Sequence, residues 1–386
     1  MEVTRMHFSE DLEILRKTVA SFVKKEIAPI AEEMDRKDEF PNWLWNKLGE
    51  LGILGITIPE KYGGTGMGPM EQAIVTEEIA KYSAAVAVSY TAHSNLCAHN
   101  LYHNANEQQR EKYLPGLCSG ELIGALGLTE PGSGSDAVGM RTTARREGDS
   151  FILNGSKTFI TNGPIADVLI VYAKTDKDKG PHGITAFIIE KGFPGFSVSK
   201  RLEKMGNRGS VTGELIFDDC RVPAENVLGE ENKGIKVMMS GLDIERVMVS
   251  ALSLGIGEGA FREAVKYSKE RSQFGKEIAN FQLIQAKIAD MYTTLQASRL
   301  LTYDAAKEAA EGKKVTLKAA SAILFTAETA TKVALEAVQI HGGYGYMLDY
   351  PVNRYLRDAK LYEIGAGTSE VRRLIIAREI LGVKTF

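Results

Sequence analysis

The chain has 386 residues, 44% apolar and 25% charged, with a formal net charge of −3. That length calls for two or three domains, and the near-neutral charge points away from nucleic acid and anionic membranes as partners. Three widely spaced cysteines (Cys97, Cys118, Cys220) fit reduced thiols in a cytoplasmic protein and not a disulfide frame; no signal peptide and no membrane-spanning run is read.

Taken in chain order, the first elements are helical. Ser9 caps a run whose Leu12, Leu15, Val19, Phe22 and Val23 share one face, and Trp43 to Leu51 is a second amphipathic piece. Four glycines between Pro59 and Pro69 make a loop. Helices are then expected over Glu71 to Tyr82, over the Ala-rich Ser83 to Leu101, and over Glu107 to Tyr113. From Thr143 to Leu228 the pattern turns to strands, among them Val168 to Ala173, Ile184 to Ile189 and Gly213 to Phe217. Gly148-Asp149 and Asn154-Gly155 both read as turns, the second as a hairpin. From Gly234 on, Ile235 to Ser268, Ile278 to Ala310, Val315 to His341 and Ser369 to Leu381 are long helical runs. The expected architecture is multidomain α+β: an N-terminal α-helical domain (1–118), a middle antiparallel β-barrel or sandwich (119–230) and a C-terminal four-helix bundle (231–386).

Several segments carry possible chemistry. Gly255-Ile-Gly-Glu-Gly-Ala260 fits a dinucleotide fingerprint, but it follows a helical run with no βαβ alternation, so helix packing is the better reading. His93, Cys97, His99 and His103 lack an HExxH or paired CxxC pattern, and no metal is expected. Leu128-Thr-Glu-Pro-Gly-Ser-Gly-Ser-Asp136 is a broken loop rich in hydroxyls and backbone donors, suited to a flavin or phosphate edge, or to an ordinary turn. Arg271 ends one helix and Gln339-Ile-His-Gly-Gly343 another. In Leu361-Tyr-Glu-Ile-Gly-Ala-Gly-Thr-Ser-Glu370, Gly365, Ala366 and Gly367 precede the good N-caps Thr368 and Ser369, leaving backbone N–H groups open to a ligand.

Tyr62-Gly-Gly64, Thr129-Glu-Pro-Gly132, Ile160-Thr-Asn-Gly163, Arg271-Ser-Gln-Phe-Gly275, Gln339-Ile-His-Gly-Gly343 and Gly367-Thr-Ser-Glu370 occur in one order and spacing. Together they make the chain resemble the acyl-CoA dehydrogenases over essentially its whole length. Ser89 to Cys97, Ala166 to Asp176 and Gly241 to Arg246 carry a closer resemblance to members acting on isovaleryl-CoA. The resemblance implies FAD as hydride acceptor, an acyl-CoA substrate, electron-transfer flavoprotein as electron acceptor and a homotetramer. A flavin oxidase or monooxygenase on the same fold is the second class, and a non-catalytic helical binding protein the third.

Most of the family has a catalytic glutamate where this chain has Ala366. The resemblance moves the base to Glu245, where isovaleryl-type members carry it, with Glu363 as the fallback. The Ala366 N–H would still meet the thioester oxygen, because a main-chain donor survives loss of a side chain. Leu242, Ile244, Met248 and Val249 would surround Glu245 with apolar surface and raise its pKa. By the same resemblance Leu128, Thr129, Ser135, Phe159, Ile160 and Thr161 line the flavin, with Thr368, Ser369 and Glu370 from the C-terminal side. Phe159 stands where many members have tryptophan. Arg271, Phe274, Gln282, Gln339, Gly342 and Gly343 hold the pyrophosphate and adenosine, partly across a subunit boundary. Ser135, Asp243, Arg246, Tyr267, Gly365, Ala366 and Gly367 contact the acyl-CoA, and the small residues at 365 and 366 suit a branched or cyclic acyl group.

Overall fold

The structure is a computed structural model and describes residues 8–383. Helix α1 (Glu10–Phe22) opens at Ser9, whose hydroxyl accepts from the Leu12 N–H, and Glu10, Asp11 and Glu13 complement the positive end of its dipole. A π turn (Val23–Ile27), α2 (Ala31–Lys37), α3 (Trp43–Glu50) and α4 (Pro69–Ala80) follow. The Ala-rich stretch is not one uniform helix: α5 (Ala84–Thr91) widens into a π segment (Ala92–His99) before α6 (Asn100–Asn104). α7 (Glu107–Ser119) is capped reciprocally by Asn106 and Gln109, and runs past the expected Tyr113, through Pro115, to a left-handed Gly120.

Next come β1 (Gly124–Gly127), β2 (Thr143–Glu147), β3 (Ser150–Thr161), β4 (Val168–Lys174), β5 (Ile184–Glu190), β6 (Phe196–Arg201), β7 (Thr212–Pro223) and β8 (Val227–Leu228). They form one sheet in the order β6-β7-β3-β2-β4-β5-β8, with β1 beside β4. Pairing is antiparallel except where β1 and the start of β2 run parallel to β4. Ile170 and Tyr172 of β4 pack with Cys97, Leu101 and Leu117 of the helical layer, while Leu169 and Val171 pack with Leu215 and Phe217 of the sheet. Burial on both faces is why this strand reads as an unbroken apolar run.

Asn154-Gly155 does not turn a hairpin; it lies inside β3. The register with β7 slips between Leu153 and Gly155, and a Cβ on Gly155 (φ +148°) would sit 2.5 Å from Thr142 Oγ1. The glycine serves a close approach at a bulge. The true hairpin is made at Gly148 (φ +59°), between β2 and β3.

The last layer holds α8 (Gly234–Glu270), a short hairpin of β9 (Ser272–Gln273) and β10 (Lys276–Glu277), then α9 (Gln282–Ala310), α10 (Thr316–His341), α11 (Val352–Ala359) and α12 (Ser369–Leu381). Gly255, Gly257 and Gly259 all lie within α8. Added Cβ atoms there would meet Glu77 O at 2.4 Å, Leu295 Cδ2 at 2.7 Å and Lys81 O at 2.6 Å. The nucleotide-like spacing is therefore a close seam between α8 and its neighbours. A buried ion network crosses that seam. Glu77, fully buried on α4, accepts from Arg16 of α1 (3.3 Å) and from Arg299 (3.1 Å) and Tyr303 of α9, and pairs with Lys81 at 3.0 Å. Arg299 also reaches Glu258 of α8 at 2.7 Å. Burial opposes the Glu77 charge, but Lys81, Arg16 and Arg299 hold its pKa well below the usual carboxylate range.

Candidate active site

Glu245 lies near the start of α8, beside Ile244, and its helix buries Met248 and Val249 just beyond. The carboxyl is deeply set, though part of its surface stays accessible. Among the described residues it takes no hydrogen bond and no ion pair. Burial pushes its pKa up to about 7, with Arg246 and Arg372 pulling the other way. Arg246 is itself committed: it pairs with Asp243 at 2.6 Å, and Asp243 also accepts from Thr316 at 2.5 Å. Glu363 has the opposite character. It is half-buried and pairs with Lys360 at 2.8 Å; burial raises its pKa, but the hydrogen bonds from Lys360 and Thr331 outweigh it and the pKa falls. Of the two acids, Glu245 alone combines an unspent carboxylate with a pKa poised near neutrality.

The second part is the C-terminal turn. Ala366 (φ +56°) and Gly367 (φ +85°) are both left-handed, so the chain reverses sharply there. The Thr368 hydroxyl caps α12 through the Val371 N–H at 3.2 Å, Ser369 is buried with no partner for its hydroxyl among the described residues, and Glu370 is exposed. The buried Arg372 donates to the Gly365 carbonyl at 2.6 Å and acts electrostatically on Glu245, which ties the turn to the carboxylate. A Cβ on Gly365 would touch only Leu361, at 3.5 and 3.9 Å.

The third part is the loop between β1 and β2. Lys157, fully buried on β3, donates to the Leu128 carbonyl at 3.1 Å and to Glu130 at 2.8 Å; Glu130 also accepts from the Arg141 and Thr142 N–H groups. The Thr129 carbonyl accepts from the Thr158 N–H at 2.9 Å. Thr129, Phe159 and Thr161 are thereby gathered along the end of β3. Phe159 is 68% exposed, whereas the Ile160 side chain is in the sheet core and only its main chain is available. Ser135 is exposed on the loop. The Lys157–Glu130 pair was not singled out in the sequence; its only trace there is a lysine within an apolar strand.

The remaining candidates lie elsewhere. Arg271 follows Glu245 by 26 residues of one continuous helix, a rise of about 39 Å. It sits exposed at the end of α8, 5.7 Å over the Tyr344 ring. Phe274 (93% exposed), Gln282, Gln339, Gly342 and Gly343 are also at the surface. Tyr267 belongs to this end too: it stacks on His341 at 4.1 Å and is about 33 Å along α8 from Glu245. The structure does not bring Tyr267 to the carboxylate.

His93 bonds the Leu117 carbonyl and the Gly124 N–H, His99 bonds Thr57, and Cys97 bonds the Val168 carbonyl. Among the described residues, no group of three or more His, Cys, Asp or Glu is placed to hold a metal.

Two backbone features fit a large planar cofactor. Among the described residues, eight other than glycine have positive φ; five are Asn or Asp, and the other three are Phe159, Phe274 and Ala366. A bulky residue held left-handed is strained, and such strain gathers at ligand sites. Four glycines, Gly132, Gly134, Gly192 and Gly343, have neither positive φ nor any atom near an added Cβ. Three of the four lie in the candidate segments. Nothing within the chain requires them to be glycine, as would hold where a ligand meets the main chain.

Comparison with known proteins gives the family of the chain. Residues 9–121, 125–220 and 232–381 match, in turn, the N-terminal, middle and C-terminal domains of acyl-CoA dehydrogenase. The chain belongs to the acyl-CoA dehydrogenase family. It is an oxidoreductase of that family, and it is 55% identical over 374 residues to the mitochondrial isovaleryl-CoA dehydrogenase of Pongo abelii, covering 96% of this chain and 88% of that one. Butyryl-CoA dehydrogenase from Megasphaera elsdenii superposes with a TM-score of 0.95 at 46% identity, covering 98% and 100% of the two chains. A glutaryl-CoA dehydrogenase from Mycobacterium smegmatis, solved in complex with FADH2, superposes with a TM-score of 0.93 at 30% identity over 98% and 96%. No helix among the described residues is long and apolar enough to cross a membrane.

Proposed function

We propose that this acyl-CoA dehydrogenase removes the α and β hydrogens of a short branched acyl-CoA, isovaleryl-CoA first, with Glu245 as base. The observation that carries the reading is an unpaired carboxylate with a pKa near 7, tied to a left-handed turn that lacks the family's usual acid. Bound along Thr129, Ser135, Phe159 and Thr161, with Thr368 and Glu370 opposite, FAD would supply the hydride acceptor for Cβ. The chain's own groups do the rest. Glu245 takes the Cα proton, and desolvation makes its carboxylate a stronger base. The Ala366 N–H donates to the thioester oxygen as charge develops there. Asp243 and Arg246, paired with each other and with Asp243 also held by Thr316, would orient the CoA-bearing substrate. The vacant side-chain volume at Gly365 leaves room for a branch at Cβ.

The high identity to an isovaleryl-CoA dehydrogenase supports the acyl preference. Arg271, Phe274, Gln282, Gln339, Gly342 and Gly343 would serve the adenosine half of a neighbouring protomer's cofactor, since about 39 Å of helix separates Arg271 from its own Glu245. This favours a homo-oligomer, a tetramer by family pattern, that passes electrons to electron-transfer flavoprotein. Anaerobic titration of the purified holoprotein with straight, branched and cyclic acyl-CoAs tests the reading. Flavin bleaching at lowest concentration with isovaleryl-CoA is the expected result; no bleaching with any of them overturns it.

A further inference from the structure

Arg372 is fully buried in the first turn of α12, yet its Nε and Nη1 have no partner among the described residues. Its Nη2 donates to one acceptor, the Gly365 carbonyl, at 2.6 Å. That carbonyl and the Ala366 N–H belong to the same planar peptide unit, so fixing one fixes the direction of the other. A charged donor on the oxygen also polarises the unit and makes its N–H a stronger donor. We propose that Arg372 is a positioning residue for the dehydrogenation: it clamps and polarises the 365–366 peptide so that the Ala366 N–H is aimed at the thioester oxygen, and it presents a buried positive charge to Glu245. This inference rests on the function proposed above.

The surroundings of Arg372 favour this role. Of the acids that act on it, Glu245 comes first and is the proposed base; the other two are occupied, Glu328 of α10 pairing with Arg373 at 2.6 Å and Glu363 with Lys360. Of the groups that face Glu245, Arg246 on α8 acts more strongly than Arg372 but shares its charge with Asp243, and Tyr172 on β4 contributes a neutral phenol bonded to Asn100. Arg372 is thus a cation that acts on the base and, among the described residues, forms no ion pair. Burial and Arg246 lower its pKa to about 10, which leaves it charged at neutral pH. Lysine in its place would keep a charge but lose the planar fork.

The test uses the holoprotein carrying Glu245→Gln, which blocks turnover, with isovaleryl-CoA labelled by carbon-13 at the thioester carbon. Infrared difference spectra report the bound carbonyl stretch, which drops as the oxygen is polarised. Arg372→Lys and Arg372→Gln in this background should move the stretch back toward its value in water. With Glu245 restored, Arg372→Lys should slow flavin reduction at least tenfold, with KM changed less than twofold. An unchanged carbonyl stretch in both variants overturns the proposal, and so does an unchanged reduction rate in Arg372→Lys. Persistent flavin reduction in Glu245→Gln alone strikes instead at the base assignment, so the two failures are distinct. Should Arg372→Gln not fold, Arg372→Lys, which retains the buried charge, decides alone.

Discussion

Replacing Glu245 by glutamine should make the protein more stable at alkaline pH and almost inactive. The carboxyl's pKa rises from 4.5 to about 7 on folding, because burial disfavours its ionised form. Such a group contributes favourably when protonated: its contribution is fully present below pH 4.5 and is lost as pH climbs through 7. The full rise corresponds to about 3 kcal/mol; part of the carboxyl surface is accessible, so solvent screening reduces this to about 2 kcal/mol. Glutamine is neutral at every pH and carries no such cost. Thermal unfolding of wild type and Glu245→Gln, each with FAD bound, should coincide near pH 4.5 and separate by pH 8, with the variant higher. Over the same range wild-type flavin reduction should rise with pH through about 7, while the variant stays about 10²- to 10⁴-fold below the wild-type plateau reached above pH 7, the usual contribution of a general base, and the gap narrows toward pH 4.5. Equal melting at pH 8, or reduction at wild-type rate, would refute the reasoning.

Other perturbations have equally definite outcomes. Gly365→Tyr should harm branched acyl-CoAs more than straight ones, by about 10- to 200-fold in relative kcat/KM; equal losses for butyryl-CoA and isovaleryl-CoA would contradict the pocket assignment. Glu77→Gln leaves Arg16 and Arg299 buried without their shared anion and should destabilise by about 3–5 kcal/mol, read by denaturant unfolding. Arg271→Ala should weaken FAD retention, measured as flavin content after gel filtration. Because Arg271 and Glu245 are at opposite ends of α8, unfolding and refolding a mixture of Arg271→Ala with Glu245→Gln should restore part of the activity that each lacks; no recovery from mixed oligomers would place Arg271 with its own protomer's base.

Much of the fold was legible because the chain's periodicities are strong. The long helices and β4 appear in the sequence close to where they stand, since apolar period and length leave little choice for runs of that size. What escaped was decided by contacts between distant residues. Asn154-Gly155 has the composition of a hairpin turn, but the close approach of Thr142 makes it a bulge within β3. The run from Ser83 looks uniformly helical, and nothing local marks the widening at Ala92. Arg372 and Arg373 are adjacent and alike in sequence; helical geometry sends the first into the interior and the second to the surface, where it meets Glu328. The resemblance assigns Tyr267 to the acyl-CoA, while the rise along α8 sets it close to Arg271 and about 33 Å from Glu245.

The glycines show how the same letter acquires different meanings. Gly255, Gly257 and Gly259 exist because another element fills the space a side chain would need. Gly148, Gly120 and Gly367 exist because their backbones turn left-handed. Gly132, Gly134, Gly192 and Gly343 satisfy neither condition, so the fold itself does not require glycine there. An alanine at Gly255 or Gly259 would force backbone apart, and one at Gly257 would displace the Leu295 side chain. At the last set it would leave the protein's own packing untouched, and any loss would be confined to what binds there. A fold that tolerates Gly343→Ala in thermal unfolding yet sheds its flavin would therefore locate the cofactor by subtraction, without reference to any related protein.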